Sequence, residues 1–192
     1  PSTIYGMLLS MVGEVNRRVH EGAEIAIALL SEPGYSVVLR TLWRVKDRKA
    51  GPGLGNNRRP DFQELLTNTQ LAVWIRQGEN ENAPQCLAAR VAQALDAPDS
   101  VSRFGGLSLG ESTHLVDEIK PLNDPSICGR LLLAEEDGDL SLPIWPDHVG
   151  SATRWGQYRL SNHRAIDDAE LKRQPVWTVI QRPSTPTISN PR

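Results

Sequence analysis

The stretch KDRKAGPGLGNNRRPDF at residues 46–62 constrains the fold of this chain more than any other segment. Its glycines, asparagines and prolines prevent a helix or a regular central strand. A run rich in β-branched and aromatic residues precedes it at 35–45 (YSVVLRTLWRV), and another follows it at 69–77 (TQLAVWIRQ). Both runs predict strands, and the second is expected to pair back along the first. The stretch between them is therefore predicted to be the tip of a long, protruding hairpin.

This predicted hairpin carries much of the positive charge of the chain. Residues 40–59 contain seven Lys or Arg and one acidic residue, a net charge of +6, whereas the whole chain has −2 and the rest therefore −8. A basic segment on an acidic protein is typical of a local binding surface for a polyanion, and a solvated charged loop is the alternative. Trp43 lies beside Arg44, a pair suited to stacking on unpaired bases, but alternation along the strand predicts a core position for Trp43.

Two helices are predicted. The first begins near Ser2 or Thr3, either of which can cap it, and has apolar residues at helical spacing as far as Val12. The second, at 83–98, is rich in alanine and has Pro98 just past its end, which is the strongest helix signal in the chain.

Short strands separated by turns make up most of the remainder. The apolar run AEIAIALL at 23–30 predicts a strand that a turn at 31–34 joins, antiparallel, to the strand at 35–45. Five later segments predict further strands: GGLSLGES, THLVDEIK, GRLLLAE, LSLPIW and PVWTVIQR. The order helix–strand–strand–helix–strand predicts an α+β fold, a ferredoxin-like βαββαβ unit without its first strand, so a strand is expected before Pro1.

Several classes of protein are excluded by composition and spacing. No apolar run approaches about 18 residues, so no transmembrane helix is expected. Cys86 and Cys128 lie far apart without CxxC spacing, which favours buried free thiols in a reducing cytoplasm over a disulfide framework. The four histidines have no metal-binding spacing, and neither a metal nor another cofactor is expected.

The segment GGLSLGES at 105–112 nearly matches the phosphate-binding loop of nucleotide triphosphatases. Glu111 stands where that loop has its lysine, and a carboxylate there would repel the β- and γ-phosphates, so this activity is excluded. The glycines still allow a polyanion to approach backbone N–H groups, and a plain turn is the alternative. For general acid–base cleavage of RNA the sequence offers only Tyr5, His20 and His114.

Three stretches, PSTIYGMLLSMVGE, RRPDFQELLTN and FGGLSLGES, resemble the repeat-associated mysterious protein superfamily, and within it the Cas-five family. Together they span most of residues 1–112. Members of that family hold the 5′ handle of the guide RNA in type I CRISPR Cascade complexes. The resemblance implies an RRM-like palm at 1–120 with a β-hairpin thumb at 46–62. This leaves a β-rich extension at 121–182 to pack on the palm, and a Pro- and Ser/Thr-rich tail at 183–192 that is predicted to be disordered.

The resemblance also implies which residues bind RNA. They lie at the start of the first helix, on the thumb and around the glycine-rich loop: Ser2, Thr3, Tyr5, Gly6, Arg44, Lys46, Arg48, Lys49, Arg58, Arg59, Arg103, Gly105, Gly106, Gly110 and Ser112. In this family the thumb packs against a neighbouring backbone subunit and kinks the guide. The implied partners are the 5′ handle of the crRNA, backbone subunits of the Cas-seven type and the large subunit, with target DNA engaged indirectly and no membrane.

The resemblance alone does not decide whether this chain is catalytic, because that depends on individual residues. In one subtype the family member is also the ribonuclease that matures the guide, through a Tyr/Lys/His set, and no such set is clearly placed here. The sequence therefore predicts a non-catalytic, cytoplasmic RNA-binding subunit. A guide-RNA-processing endoribonuclease of the same superfamily is one alternative. A protein-only assembly module, whose basic segment docks an acidic partner, is another.

Overall fold

The computed structural model describes residues 1–123, 127–147 and 152–183 of the chain. They form two compact units, one of residues 30–71 and the other of the remaining described residues. The tail that was predicted to be disordered lies outside the described residues from residue 184 onward.

The described chain contains three helices and nine strands. The helices are α1 (Ser2–Met11), α2 (Leu87–Asp96) and α3 (Asp168–Leu171), with 3₁₀ turns at Gly55–Asn57, Pro98–Ser100 and Gln174–Val176. The strands are β1 (Glu24–Leu29), β2 (Gly34–Trp43), β3 (Arg58–Thr67), β4 (Leu71–Arg76), β5 (Cys128–Ala134), β6 (Leu140–Trp145), β7 (Arg154–Leu160), β8 (Arg164–Ala165) and β9 (Thr178–Val179). The predicted α+β class is confirmed.

One sheet organises the larger unit. Its strand order is β4–β1–β5–β7–β6, with β8 added to β5 and β9 added to β1. β5 is antiparallel to β1, with Ala28 opposite Leu131, and β7 is antiparallel to both β5 and β6. The residues expected to form a separate extension at 121–182 thus supply five strands of the sheet that contains β1.

The strand predicted at 23–30 is confirmed as β1, but its predicted partner is wrong. β1 lies between β4 and β5, not beside the strand at 35–45. Its four central residues are buried, so both of its faces are covered. A strand that is apolar on both faces belongs inside a sheet, which explains why a hairpin with the exposed β2 is not formed.

Both long helices contribute to the core of the larger unit, where α1 packs against α2 and against β6. Six of the ten residues of α1 are buried, and α2 contributes Leu87, Val91 and Ala94. The aromatic rings of Tyr5 and Trp145 lie 6.2 Å apart, and they join α1 to the end of β6. Both predicted helices are therefore confirmed, although α2 is shorter than the predicted 83–98.

Several other sequence predictions are wrong. GGLSLGES and THLVDEIK form no regular strand, only a single bridge between Ser108 and Leu115, and PVWTVIQR contributes only β9. The strand β7 was not predicted, because its alternate residues are exposed and Gly156 interrupts the apolar signal. Cys86 is half-buried and Cys128 exposed, so the expectation of two buried thiols is also wrong.

Candidate nucleic-acid interface

The smaller unit is a two-stranded ribbon made of β2 and β3. Ten residue pairs connect the strands, from Gly34 opposite Thr67 to Trp43 opposite Arg58. The sequence predicted the first strand but paired it with 69–77, whereas the partner is the segment 58–67. Pro60 concealed that strand, since proline is excluded from central strands. In a two-stranded ribbon both strands are edges, where proline is tolerated.

The register places most of the large apolar side chains on one face of the ribbon. Residues directly opposite each other share a face, so the pairs Tyr35–Leu66 and Leu39–Phe62 lie on the same side. We call this side the apolar face; its large apolar residues are Tyr35, Val37, Leu39, Trp43, Phe62 and Leu66. All six are exposed, Tyr35 at 81% and Phe62 at 71%.

The opposite face of the ribbon differs in chemistry. Arg40 and Arg59 lie on it together with Asp61 and Gln63, and it also carries the apolar residues Val38, Leu42 and Leu65. Arg44 directly follows β2. Arg40 donates a hydrogen bond to the Oε1 of Gln63 at 2.7 Å. The ribbon is therefore two-sided: one face suits contact with an apolar surface, and the other presents guanidinium groups.

The tip of the ribbon is a folded loop whose backbone is fixed by hydrogen bonds to the side chain of Asn57. Asn57 is 2% exposed, although it is surrounded by exposed residues. Its Oδ1 accepts the backbone N–H groups of Lys46 at 2.9 Å and Asp47 at 2.7 Å. Its Nδ2 donates to the carbonyls of Asp47 at 2.7 Å and Ala50 at 2.8 Å. One side chain thus fixes both ends of the segment from residue 46 to residue 50.

Trp43 closes the other side of the tip. A Cβ on Gly53, whose φ is +72°, would lie 2.8 Å from the indole Nε1, so only glycine allows this approach. The prediction that Trp43 is a core residue is wrong, since it is 72% exposed. An open groove of about 290 Å³ lies here, lined by Trp43, Arg44, Val45, Asp47, Arg48, Ala50, Pro52 and Asn57.

The six thumb residues predicted to bind RNA come together around this tip. All are exposed: Arg44, Lys46, Arg48, Lys49, Arg58 and Arg59. The N–H of Arg44 bonds to the carbonyl of Asn57 at 2.9 Å and continues the ladder into the tip. Asp47 is the single carboxylate among them, and it accepts a hydrogen bond from the backbone N–H of Lys49 at 2.9 Å within the same loop. The tip is thus a compact cluster of cations on an ordered backbone.

The predicted contacts at the start of α1 differ among themselves. Pro1 is the N-cap residue and neither Ser2 nor Thr3 makes a side-chain cap bond, so the predicted cap is wrong. Thr3 and Gly6 are exposed and Ser2 is half-buried. Tyr5 is 4% exposed, and its hydroxyl donates to the carbonyl of Arg17 at 2.7 Å. This tyrosine is a core residue.

The glycine-rich loop exposes all its predicted contacts: Arg103, Gly105, Gly106, Gly110 and Ser112. Gly105 has φ +77° and Gly110 φ +101°, which favour glycine. Backbone bonds from Leu109 to His114 and from Val116 to Leu107 give the loop its shape. Ser102, just before this loop, packs against the end of α1. The approach is so close that a Cβ on Gly13 would lie 2.3 Å from the carbonyl oxygen of Ser102. Ser2 and Arg103 are therefore at opposite ends of a helix about 15 Å long.

The three candidates for acid–base chemistry are not assembled into a site. Burial, with the neighbouring carboxylates of Glu81, Glu21 and Glu14, raises the pKa of Tyr5 far above its usual range. The Tyr5 phenol therefore stays protonated at neutral pH and is unsuited to act as a base. His20 is fully buried and bonded at both ring nitrogens, and only His114, on the glycine-rich loop, is partly accessible.

A buried polar network around His20 was not found by sequence reasoning. Arginine can only donate, so the contact of Arg90 with Nε2 of His20 at 2.8 Å makes that nitrogen the acceptor. Nδ1 of His20 then donates to Glu81 at 2.7 Å, and the same carboxylate oxygen accepts the N–H of Leu87 at the start of α2. Glu81 follows His20 by 61 positions inside a polar loop, and no local pattern connects them.

Arg90 extends this network to the loop that follows α1. It donates to the carboxylate of Glu14 at 2.8 Å and to the carbonyl of Val12 at 2.9 Å. The hydrogen bond from Arg90, with a second from the N–H of Asn16, holds the pKa of Glu14 below its usual range. The stabilisation from this pair is therefore present at neutral pH and lost as acid protonates Glu14.

Two negative findings apply to the described ranges 1–123, 127–147 and 152–183. No group of three or more His, Cys, Asp or Glu residues in them is arranged to hold a metal ion. None of the helices in these ranges has the length and apolar character of a membrane span.

Comparisons with known proteins bear on the whole chain. No protein-family model matches it. The CRISPR-associated protein Cas5 of Myxococcus xanthus (strain DK1622) is 41% identical over 181 residues, which cover 92% of this chain and 84% of that protein. A solved chain described as "CRISPR RNA-guided surveillance complex" has a TM-score of 0.53 at 12% identity, covering 88% of this chain and 79% of that one. At such low identity the structural likeness concerns the fold.

Proposed function

The chain belongs to the Cas5 family of CRISPR-associated proteins, and from that premise we propose that it is a non-catalytic RNA-binding subunit of a type I Cascade effector complex. It binds the 5′ handle of the crRNA and caps the backbone of the complex, while pairing by the guide selects the DNA target. The observation that carries this proposal is the ordered cationic tip of the ribbon.

The ribbon tip supports RNA binding through its charge and its order. Six exposed cations surround a loop whose backbone is fixed by Asn57, and Trp43 lies among them. Lysine and arginine neutralise phosphates, and an exposed indole offers a surface on which an unpaired base can stack. A polyanion is the ligand that suits this combination.

The apolar face of the ribbon supports a protein partner at the same time. Large exposed apolar patches mark interaction sites, and an isolated two-stranded hairpin is marginally stable in water. Leu39 and Phe62, opposite each other in the register, lie at the middle of this face. We assign this face, apart from Trp43 at its tip end, to a backbone subunit of the Cas-seven type. The guanidinium-bearing face and the tip, including Trp43, are assigned to RNA.

The other predicted contacts have smaller roles in the proposal. The exposed start of α1 at Thr3 and the glycine-rich loop with Arg103 offer N–H groups and one cation to the handle. Gly6 offers an open surface without a side chain, where the handle can approach the helix closely. Tyr5 has no place among the RNA contacts, because its hydroxyl is buried and bonded to Arg17. The buried positions of Tyr5 and His20 also support a non-catalytic role.

Replacing Arg48, Lys49, Arg58 and Arg59 by alanine is expected to weaken binding to a single-stranded handle RNA. The plot of log K against log salt concentration becomes shallower by about 0.7 for each lost phosphate contact. Fluorescence anisotropy over a range of salt concentrations measures both quantities. A matched control replaces Arg18, Lys120, Lys172 and Arg173, which removes the same charge from the other unit. Equal affinity and slope in the wild type and the thumb variant would contradict the thumb assignment.

The same RNA samples test the absence of catalysis. Repeat RNA incubated with the wild-type chain without metal is expected to be recovered intact on a denaturing gel. Specific cleavage that disappears in Tyr5→Phe or His114→Ala would instead identify a processing endoribonuclease. Stable assembly and activity of the complex without any RNA would favour the protein-only module.

A further inference from the structure

We propose that Asn57 is a positioning residue for RNA binding: it orders the backbone of the tip so that Lys46, Arg48 and Lys49 present their charges without a folding cost on binding. This inference rests on the proposed function, because it concerns how the same tip binds RNA. Asn57 itself does not touch the ligand in this account.

The first support is the burial of Asn57. In β2, β3 and the tip that joins them, every other residue is exposed or half-buried, whereas Asn57 is 2% exposed. A buried amide is retained only where its polar atoms are satisfied. Here both ends of the amide are used, and they bond to the backbone of the tip at Lys46, Asp47, Ala50 and Gly51.

The second support is the shape of what Asn57 holds. The segment 46–51 contains no helix or strand, so it has no ladder of its own to fix its backbone. The turn at 51–54 is closed by the N–H of Leu54 donating to Gly51, and the N–H of Asn57 donates to Leu54. Asn57 is therefore the point at which the loop 46–51 and the turn 51–57 are joined.

The third support is the placement of charge along the held segment. Lys46, Arg48 and Lys49 lie within it, and their side chains are exposed. The N–H of Lys46 bonds to Asn57, and the N–H of Lys49 bonds to Asp47, which is itself bonded to Asn57, so Arg48 lies between two fixed positions. A loop that is ordered before binding loses less conformational entropy when it contacts its ligand. Affinity is thereby gained without any further contact to RNA.

Asn57→Ala tests the inference, because it removes the amide but none of the cations. We expect RNA affinity to fall about tenfold or more, while the salt dependence keeps its wild-type slope, since the same phosphates are neutralised once the loop is bound. Asn56→Ala is the matched control: Asn56 is an exposed neighbour, and it offers its backbone carbonyl, unaffected by the substitution, to Arg44. It should bind RNA like the wild type.

Hydrogen exchange in the RNA-free protein provides the second measurement. The amides of Lys46 and Asp47 are expected to exchange slowly in the wild type and fast in Asn57→Ala, while the amides of β1 remain protected in both. Slow exchange at these two amides in the variant would overturn the inference. So would an unchanged affinity, or a slope that falls as it does in the thumb charge variant.

Different results would contradict the positioning role of Asn57 and the RNA-binding function of the tip. If the thumb charge variant loses affinity and Asn57→Ala does not, the positioning role is wrong and the RNA-binding function stands. If both bind RNA like the wild type, the assignment of the tip to RNA is wrong, and the inference fails with it.

Discussion

A chain carrying Leu39→Thr and Phe62→Thr is expected to lose about a hundredfold in affinity for its backbone subunit, while it binds free handle RNA as the wild type does. The two residues face each other at the centre of the apolar face and are exposed in the free chain. Buried aromatic and aliphatic anchors at the centre of an interface each contribute a few kcal/mol, and about 2.8 kcal/mol corresponds to this loss.

Threonine is chosen so that the ribbon itself survives. It is β-branched, and threonines opposite each other are compatible with a strand pair. Val38→Thr is the control, because Val38 lies one position away and therefore on the opposite face of β2. Affinity measured by surface plasmon resonance should fall for the double variant and stay unchanged for the control. An equal loss in both, or in neither, would contradict the assignment of one face to protein.

The second large effect concerns stability. Glu81→Ala is expected to lower the free energy of unfolding by about 3–5 kcal/mol, because it leaves His20 and the N–H of Leu87 buried without their acceptor. For a protein of this size the midpoint of thermal unfolding falls by roughly 6–20 °C. Differential scanning calorimetry measures the change.

Two further variants separate the network from the loop that contains it. Glu81→Gln keeps a carbonyl oxygen for both donors, so its midpoint should lie between those of the wild type and Glu81→Ala. Glu79→Ala alters an exposed carboxylate two residues away and is expected to leave the midpoint unchanged. A Glu81→Ala protein as stable as Glu79→Ala would show that the network does not hold the larger unit together.

The elements predicted correctly are those with strong local signals. α1 and α2 show apolar residues at helical spacing, and β1, β5 and β6 are compact apolar runs. Pairing was predicted less well, because it depends on which faces must be buried. β1 is apolar on both faces and therefore takes an interior position, and this leaves β2 to pair with a strand that Pro60 concealed.

The positive charge of the candidate site could be predicted from the sequence, but the fixed backbone conformation of its tip could not. Seven cations within 20 residues are visible in the sequence, and the six predicted to bind RNA come together in the fold. The role of Asn57 was hidden, since an asparagine among glycines indicates a flexible loop until its hydrogen bonds are known. Tyr5 was predicted to bind RNA because it stands in a motif of the family. Most of the surface of α1 is buried, however, and the Tyr5 ring lies in the core.

The nature of the bound RNA tests the central claim most directly. We expect the assembled complex, purified through a tag on this chain, to contain short RNAs that share one constant 5′ sequence followed by variable sequence, as sequencing of the extracted RNA would reveal. A stable complex without RNA, or with RNAs that have no common 5′ end, would contradict a role in holding the handle of the guide.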